Sequence, residues 1–420
     1  MRRIILLGVF VMPGAAVLLA NRGRKAEALA AGSQPVVLRA SVVLDGRGHI
    51  LRDTSIVVEN RKIARLDPKA TGRTYDLRGL TVLPGWIDTH VHIGWHFDAG
   101  GRLAGEKEPP VQAAYRAAEN AWRTLMGGFT TVQSVGAPSD KDLREAITHG
   151  DLPGPRILTS LEPIVGKGDA TGTPDEIRVM VQQRAKDGAD VIKIFASKSI
   201  REGAGQTLSQ EQLNAACDEA RKLGLRTLVH AYGASVRAAA LAGCTQIEHG
   251  TYATDEDMKL MAEKGTFFDP QAGLVIQNYL DNKSHYLGIG NYTEEGFAIM
   301  QKILPEDFAL FRRAIATPGL KVVFGTDATA GAHGRNAEEF LFRVRECGQD
   351  PIQAMVSANS LSAESLGMQD KIGAIAPGME ADIIALEGDP LKDIAAVRRV
   401  AFVMKGGIVF KNEAPVRKAQ

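Results

Sequence analysis

The sequence is poor in cysteine and carries almost no net charge. Its three cysteines, Cys217, Cys244 and Cys347, are widely spaced and odd in number, which predicts neither a disulfide framework nor a zinc-finger pattern. A formal net charge of +1 over 420 residues leaves no basic field that would favour a nucleic-acid partner. No glycine-rich phosphate loop follows a predicted strand, so the sequence gives no indication of a nucleotide.

The amino-terminal residues 1–32 differ from the rest and are typical of a secretory leader. Two arginines precede an apolar run over residues 4–20, and residues 28–30 offer a small-X-small cleavage site. The apolar run is short for a membrane-spanning helix, although an uncleaved amino-terminal membrane anchor is the alternative interpretation. We therefore expect a periplasmic or secreted protein and leave this segment out of the fold prediction.

Both ends of the remaining chain are rich in β-strand patterns. Short apolar runs separated by turn signals occupy residues 36–83, and the same pattern returns over residues 381–410. We therefore predict a small β-sandwich-like domain that is built from residues 33–82 together with residues 371–420.

The body between these ends alternates between strand and helix patterns. Strands are predicted near 86–93, 129–135, 156–162, 190–196, 226–231, 245–249, 266–270 and 321–327, and helices near 110–127, 140–149, 174–187, 209–223, 233–242, 254–264, 294–317 and 335–347. Such alternation indicates an α/β fold with a parallel sheet. A closed (β/α)8 TIM barrel over residues 83–370 fits this length better than an open sheet. The long connection over residues 271–292 is predicted to be a lid or substrate loop.

The first strand of the body carries a metal-ligand pattern. Within the segment that ends at His92, the residues alternate so that Asp88, His90 and His92 share one face of a strand. Two imidazoles spaced in this way project in the same direction and can bind one metal ion. Histidine is the commonest metal ligand, although a single His-X-His sequence also occurs by chance.

Further polar residues stand at the carboxyl ends of the predicted strands, where a TIM barrel places its chemistry. The complete set is His90, His92, Lys193, His230, His249 and Asp327. Each has a structural alternative, since a histidine at a strand end can hydrogen-bond a loop and an aspartate can cap a helix. The coincidence of all six at one rim favours a metal centre.

Lys193 is the hardest of these residues to explain as structural. It stands between Ile192 and Ile194 in a predicted strand, where a lysine is a costly buried cation unless it is paired or modified. A lysine amine that is deprived of water has a lowered pKa and can react with carbon dioxide. The carbamate so formed is an anionic bidentate ligand that can bridge two cations.

These motifs resemble those of the metal-dependent amidohydrolase superfamily over residues 35–412. The matching pieces are Leu83-Pro-Gly-Trp-Ile-Asp-Thr-His-Val-His, Lys193, His230, Ile247-Glu-His-Gly, Gly325-Thr-Asp-Ala and Ile375-Ala-Pro-Gly-Met-Glu-Ala-Asp-Ile. The resemblance implies the binuclear type with two divalent metal ions, for which zinc is the expected metal.

The resemblance also implies a role for each ligand. In the binuclear type His90, His92 and Asp327 hold one ion, and His230 and His249 hold the second. The N6-carboxylated Lys193 bridges the two ions together with a hydroxide, and Asp327 serves as the catalytic acid and base.

Within the superfamily the chain is most similar to the prolidase-like and imidazolonepropionase-related branch. The pieces that carry this similarity include Gly128-Phe-Thr-Thr-Val, Asp187-Gly-Ala-Asp-Val-Ile-Lys-Ile and His333-Gly-Arg-Asn-Ala-Glu-Glu. The branch includes dipeptidases, carboxypeptidases of N-acyl amino acids and ochratoxin-hydrolysing amidohydrolases, which implies cleavage of the amide bond to a C-terminal amino acid. A cyclic amide or lactone hydrolase and a non-catalytic metal-binding barrel are the alternatives.

Three substrate-binding residues follow from the resemblance. Tyr232 would contact the substrate carboxylate or carbonyl oxygen, although packing at the barrel rim is its alternative role. Lys167 stands where the dipeptidases carry a histidine that polarises the scissile carbonyl. His333 would reach the substrate or fix its own loop.

The remaining predictions concern weaker candidates and assembly. His96, Arg201 and His285 are weaker candidates for the site and are expected at the surface. The expected partner is a small amide or dipeptide substrate. The resemblance also implies a homo-oligomer, for example an octamer.

Overall fold

The computed structural model describes residues 34–105 and 108–414, so the predicted leader lies outside the described residues. In those two ranges no helix combines the length and the apolar character that a membrane crossing requires. The strands of the described chain form one mixed sheet and two parallel sheets.

Strands and helices alternate through most of the chain. The strands are β1 (Val36–Leu44), β2 (Ile50–Glu59), β3 (Lys62–Leu66), β4 (Arg73–Asp76), β5 (Leu80–Pro84), β6 (Trp86–Val91), β7 (Phe129–Ser134), β8 (Arg156–Thr159), β9 (Ile164–Val165), β10 (Val191–Phe195), β11 (Arg226–Ala231), β12 (Gln246–His249), β13 (Phe267–Asp269), β14 (Lys321–Val322), β15 (Ile383–Glu387), β16 (Val400–Lys405) and β17 (Ile408–Asn412). The helices are α1 (Pro110–Met126), α2 (Asp140–His149), α3 (Pro174–Asp187), α4 (Gln210–Lys222), α5 (Ala234–Leu241), α6 (Asp255–Lys264), α7 (Leu274–Asp281), α8 (Lys283–Tyr286), α9 (Glu294–Ala316), α10 (Glu339–Leu341), α11 (Pro351–Val356) and α12 (Ser362–Ser365). Short 3₁₀ turns cover Ile200–Glu202, Asn336–Glu338 and Ile394–Arg398, and π-helical turns cover Phe342–Glu346 and Ser357–Leu361.

The mixed sheet takes its strands from both ends of the described chain. Its order is β17-β16-β15-β5-β1-β2-β3, with β4 paired to β1. Buried residues such as Leu38, Ile56, Ile383 and Phe402 form its apolar core. This is the kind of small sheet that the β-rich ends predict, and the exact domain limits stay a prediction.

The two parallel sheets carry the body of the fold. One has the order β14-β13-β12-β11-β10-β9 and the other the order β6-β7-β8. Their edges share backbone hydrogen bonds, because His92 N donates to Ala328 O at 2.8 Å and Asp190 N donates to Thr159 O at 2.8 Å. The first bond joins the end of β6 to the segment after β14, and the second joins β8 to the segment before β10.

Local sequence signals set the ends of several helices. Thr173 begins α3 with a capping box in which its side chain accepts from Glu176 N, and Ser209 and Thr254 begin α4 and α6 in the same way. Each such box satisfies two backbone donors that the first helical turn leaves free. These helices lie where the sequence predicts them for that reason.

The segment predicted to be a lid loop over residues 271–292 is instead largely helical, as α7 and α8. No local side chain caps α7. The carboxylate of Glu339 accepts the backbone N–H groups of Ala272, Gly273 and Leu274 at 2.6, 3.2 and 3.0 Å. Because this cap comes from a residue far away in sequence, local patterns could not reveal the helix start.

A buried ionic network holds this cap in place. Arg343 is fully buried, and its Nε donates to Glu339 Oε1 at 3.0 Å while Nη2 lies 3.3 Å from Asp269 Oδ1. Arg343 Nη1 also donates to Val323 O at 2.8 Å. The network therefore links the end of β13 to the start of α7.

The cysteine spacing predicts no disulfide framework, but the structure contains one disulfide. Cys217 on α4 and Cys244 before β12 are bonded, and the bond spans 27 residues of sequence. Cys347 is the free cysteine and is buried. Pairing depends on the packing of α4 against the turn after α5, which the spacing of three cysteines cannot show.

We expect the double variant Cys217→Ala/Cys244→Ala to lose about 3.5 kcal/mol of unfolding free energy, because the bond restricts the unfolded chain. Urea denaturation followed by circular dichroism measures this loss. Dithiothreitol should destabilise the wild type by a similar amount and leave the double variant unaffected. Equal unfolding curves of the wild type with and without reductant would contradict the expectation.

Candidate metal centre

The parallel strands bring the predicted ligands to one edge. His90 lies in β6, Lys193 in β10, His230 in β11 and His249 at the end of β12. Asp327 follows β14, and its backbone N donates to His90 O at 2.7 Å. The parallel pairing of β10, β11 and β12 therefore places side chains that are distant in sequence next to one another.

The first group of potential ligands consists of His90, His92 and Asp327. Asp327 Oδ1 lies 3.1 Å from His92 Nε2 and 3.4 Å from His90 Nε2. One donor atom from each residue falls within a set whose members all lie within 4.8 Å of one another. Asp327 Oδ1 is buried and forms no hydrogen bond within the described chain, so these atoms suit a cation.

The second group consists of His230 and His249, whose ring centroids are 4.6 Å apart. Burial, with a further contribution from Lys193, lowers the pKa of His230 to about 3. Burial also holds the pKa of His249 well below its usual range. His230 Nε2 is buried and has no hydrogen-bond partner among the described residues. Neutral imidazoles with an unpaired ring nitrogen are suited to metal ligation.

Lys193 lies beside His90 and is almost fully buried. Its Nζ is 3.2 Å from His90 Nε2 and 5.0 Å from the centroid of the Phe195 ring. Burial lowers the pKa of Lys193 to about 8 against the attraction of nearby carboxylates. No carboxylate in the described ranges forms an ion pair with this amine, so its charge has no direct partner.

Three residues that sequence reasoning missed support His90 from behind. Glu248 Oε2 lies 2.7 Å from His90 Nδ1, and Gln271 Nε2 donates to Glu248 Oε2 at 2.7 Å and to Asp269 Oδ2 at 3.0 Å. Such partners fix the ring orientation of a metal-binding histidine, and here they leave His90 Nε2 facing Lys193. His90, Glu248 and Asp269 could themselves hold a cation, but the Gln271 amide donates into that space. The acidic residue directly before a candidate ligand, as in Glu248-His249, was the available sequence signal.

Asp88 positions Asp327 from the opposite side. Asp88 accepts hydrogen bonds from Thr326 N at 3.0 Å, from Thr326 Oγ1 at 2.6 Å and from Asn336 Nδ2 at 2.8 Å. Burial raises the pKa of Asp88 to about 7. The residue next to Asp327 is therefore tied to β6, which contains His90 and is followed directly by His92.

Left-handed backbone conformations occur at three positions of the site. The φ angles are 65° at His249, 49° at Asp327 and 46° at Gln271. Non-glycine residues adopt this region at an energetic cost, and such positions cluster at functional sites. The chain turns sharply at each strand end here.

The predicted substrate residues differ in their placement. The ring of Tyr232 stacks on His249 at 5.2 Å and meets His230 edge-on at 4.8 Å. His333 is buried, neither ring nitrogen has a hydrogen-bond partner in the described chain, and burial lowers its pKa to about 3. Lys167 is exposed in the turn after β9, and no side-chain contact joins it to the cluster within the described ranges.

The expected surface position is wrong for His96, and Arg201 and His285 are only partly exposed. His96 is buried, with Nδ1 at 2.7 Å from Gly94 O. Arg201 and His285 are half-buried. His285 stacks on Phe97 at 4.7 Å.

Comparison with known proteins agrees with this geometry. The model of the amidohydrolase family matches residues 81–409. Ochratoxinase of Aspergillus niger is 28% identical, with 90% of this chain and 86% of the relative covered. Imidazolonepropionase of Streptomyces coelicolor is 24% identical, with 86% of this chain and 92% of the relative covered.

Similarity to a solved structure indicates the same family. The crystal structure of a Xaa-Pro dipeptidase with bound methionine in the active site is 32% identical, has a TM-score of 0.81 and covers 90% of this chain and 100% of its own. The amidohydrolase family is metal-dependent, and the His and Asp groups described above are candidate ligands. The chain belongs to the amidohydrolase family, in its prolidase-like and imidazolonepropionase-related branch, and is a hydrolase of carbon–nitrogen bonds.

Proposed function

We propose that the protein is a binuclear amidohydrolase that cleaves the amide bond to a C-terminal amino acid in dipeptides, N-acyl amino acids or ochratoxin-like compounds. The position of Lys193 carries this proposal, because its amine lies 3.2 Å from His90 Nε2 and forms no ion pair with a carboxylate of the described residues. Four imidazoles and the carboxylate of Asp327 surround this site. The similarity to ochratoxinase and to a Xaa-Pro dipeptidase supports the substrate class.

The proposal includes a closed (β/α)8 barrel over residues 83–370, with a small domain from residues 33–82 and 371–420. The backbone hydrogen bonds between His92 and Ala328 and between Asp190 and Thr159 support closure. A closed barrel gathers the carboxyl ends of all its strands at one mouth.

In this proposal His90, His92 and Asp327 hold one divalent ion and His230 and His249 hold the other. Zinc fits nitrogen and oxygen donors of this kind. When bound, such ions activate a water molecule as nucleophile and polarise the scissile carbonyl. His230 Nε2 and Asp327 Oδ1 are buried without a hydrogen bond to any described residue, which supports the assignment.

Lys193 bridges the two groups as a carbamate in this scheme. The neutral amine attacks carbon dioxide, an N–C bond forms and the amine proton passes to solvent, which leaves an N6-carboxylate. Because burial lowers the pKa of Lys193 to about 8, more of the amine is neutral near that pH than in an ordinary lysine.

Asp327 acts as base and then as acid. Its carboxylate accepts a proton from the attacking water and delivers that proton to the leaving nitrogen. Tyr232 and His333 would contact the substrate beside this residue, and Lys167 would approach only from the exposed turn after β9. Ile200, Val275 and Ile276 lie around a small cavity beside Tyr232 and His249, and these apolar side chains would favour an apolar leaving residue.

We further propose that the protein acts outside the cytoplasm, in the periplasm or after secretion. The disulfide between Cys217 and Cys244 supports this location, because such bonds persist in oxidising compartments. The leader-like pattern of the amino-terminal residues agrees with it.

The substrate class is tested by incubating purified, metal-loaded enzyme with N-acyl amino acids, dipeptides, ochratoxin A, lactams and lactones. We expect release of a free amino acid from the first three kinds of compound, with preference for apolar leaving residues. Mass spectrometry of the products measures this. Turnover confined to lactams or lactones would replace the proposal with a cyclic amide or lactone hydrolase, and no turnover of any compound would reject it.

Lys193→Ala should lose bound metal, since the bridging ligand is gone, and added short carboxylic acids should restore part of the activity. Elemental analysis of the purified variant measures the metal. Lys405→Ala is the matched control, because burial also lowers the pKa of Lys405 to about 8 but its Nζ donates to Gly154 O, away from the cluster. Wild-type metal content in Lys193→Ala would contradict the carbamate.

Asp327→Asn should lower kcat by about 10²–10⁴-fold, because the amide can neither accept nor deliver the proton. Steady-state kinetics on the best substrate of the panel measure the change. Asp190→Asn, which removes a carboxylate that pairs with Arg144 at 2.6 Å, serves as control and should stay within a few-fold of the wild type. A loss of less than about tenfold in Asp327→Asn would argue against its role as base.

A further inference from the structure

Arg201 carries a half-buried cation that lacks a counter-ion. Its guanidinium lies over Tyr292 at 4.2 Å and Tyr279 at 5.3 Å. Its Nε donates to Asn291 Oδ1 at 3.0 Å, and Nη1 lies 3.9 Å from the sulfur of Met300. Among the described residues no carboxylate forms an ion pair with it.

Two other arginines, Arg343 and Arg102, have acceptors for their guanidinium groups. Arg343 is more deeply buried and pairs with two carboxylates, Glu339 and Asp269. Arg102 donates to the backbone carbonyls of Ser284 at 2.6 Å and Leu287 at 2.5 Å. A guanidinium offers five N–H donors, and Arg201 uses few of them. A cation withdrawn from water in this way is costly unless an anion pairs with it.

Arg201 stands next to the metal centre. The neighbouring Ile200 packs in one apolar cluster with Tyr232, and Tyr232 stacks on His249. Burial alone lowers the pKa of Arg201, but the phenol groups around it and the carboxylate of Asp327 raise it overall. The guanidinium is therefore within electrostatic reach of the residue proposed to move the proton.

We propose that Arg201 binds the free carboxylate of the amino acid that leaves. This proposal rests on the function proposed above, which requires a C-terminal amino acid in the substrate. Paired N–H donors of a guanidinium match the two oxygens of a carboxylate, and stacking on Tyr279 and Tyr292 holds the guanidinium plane.

The resemblance assigns the substrate carboxylate or carbonyl oxygen to Tyr232, and Lys167 is the cationic side chain predicted to bind substrate. Lys167 is exposed, whereas Arg201 lies under two tyrosine rings beside Tyr232. A desolvated guanidinium binds a carboxylate more strongly than a solvated ammonium does. Arg201 would thus determine that the substrate ends in a free acid.

The test uses the full, metal-loaded enzyme with N-acetyl-L-phenylalanine and its methylamide, which differ only at the carboxyl end, where a neutral methylamide replaces the carboxylate. Arg201→Met should lower kcat/KM for the acid by about 10–100-fold and change the methylamide by less than about threefold. Arg201→Lys should fall between the wild type and Arg201→Met, since an ammonium keeps the charge but loses the paired geometry. Chromatography of the released L-phenylalanine, or of its methylamide, gives the two rates.

Arg102→Met is the matched control, because Arg102 supports α8 through backbone carbonyls and has no carboxylate role in the proposal. It should leave the ratio of acid to methylamide unchanged, as should Lys167→Met. An equal loss on both substrates in Arg201→Met would overturn the proposal while the proposed function stands. A loss of the acid preference in Lys167→Met alone would also overturn it.

Titration of L-phenylalanine into the wild type and Arg201→Met by calorimetry provides a readout that does not need turnover. Weaker binding by the variant, with an unchanged melting temperature, supports the proposal. Equal affinities, or no binding to the wild type, would overturn it. Failure of the proposed function itself would appear separately, as the absence of amino acid release from every compound of the substrate panel.

Discussion

The burial of one lysine amine among neutral imidazoles is the constraint on which the rest of the site depends. Lys193 sits in β10 with His90 Nε2 at 3.2 Å, and burial lowers the pKa of its amine. Burial of His90 and His230, with a further contribution from Lys193, lowers the pKa of these two histidines as well. An apolar strand does not retain a lysine there for stability, because a hydrophobic side chain would cost less. The energetic cost makes sense where the amine is a ligand or is modified into one.

Buried carboxylates behind the candidate ligands give this cluster a defined geometry. Glu248 holds one side of His90, and Asp88 holds the residue that precedes Asp327. The left-handed conformations of His249 and Asp327 then direct two strand ends toward the same point. Strained backbone and buried carboxylates lower the stability of the fold, and binding of a ligand at the site offsets this cost.

Sequence patterns were sufficient where the determining interactions are local. Two-residue alternation predicted a shared face for His90 and His92, and apolar neighbours marked Lys193 as a lysine in a strand. They failed where a partner lies far away in sequence. Glu339 caps α7 from beyond β14, the pairing of Cys217 needs the packing of α4, and Arg201 is covered by tyrosines that come after α8 and from α7.

One buried network connects the metal centre to the proposed carboxylate site at Arg201. Asp269 accepts from Gln271, which supports Glu248 behind His90, and it also lies 3.3 Å from Arg343. Arg343 in turn holds Glu339, whose carboxylate fixes the first turn of α7. Since α7 carries Tyr279 against the guanidinium of Arg201, the wall that would receive the leaving amino acid is positioned by the same charges that orient His90. A shift of α7 would therefore strain the hydrogen bonds behind His90, and a shift of His90 would strain the start of α7. A buried network of this kind tolerates few unsatisfied groups.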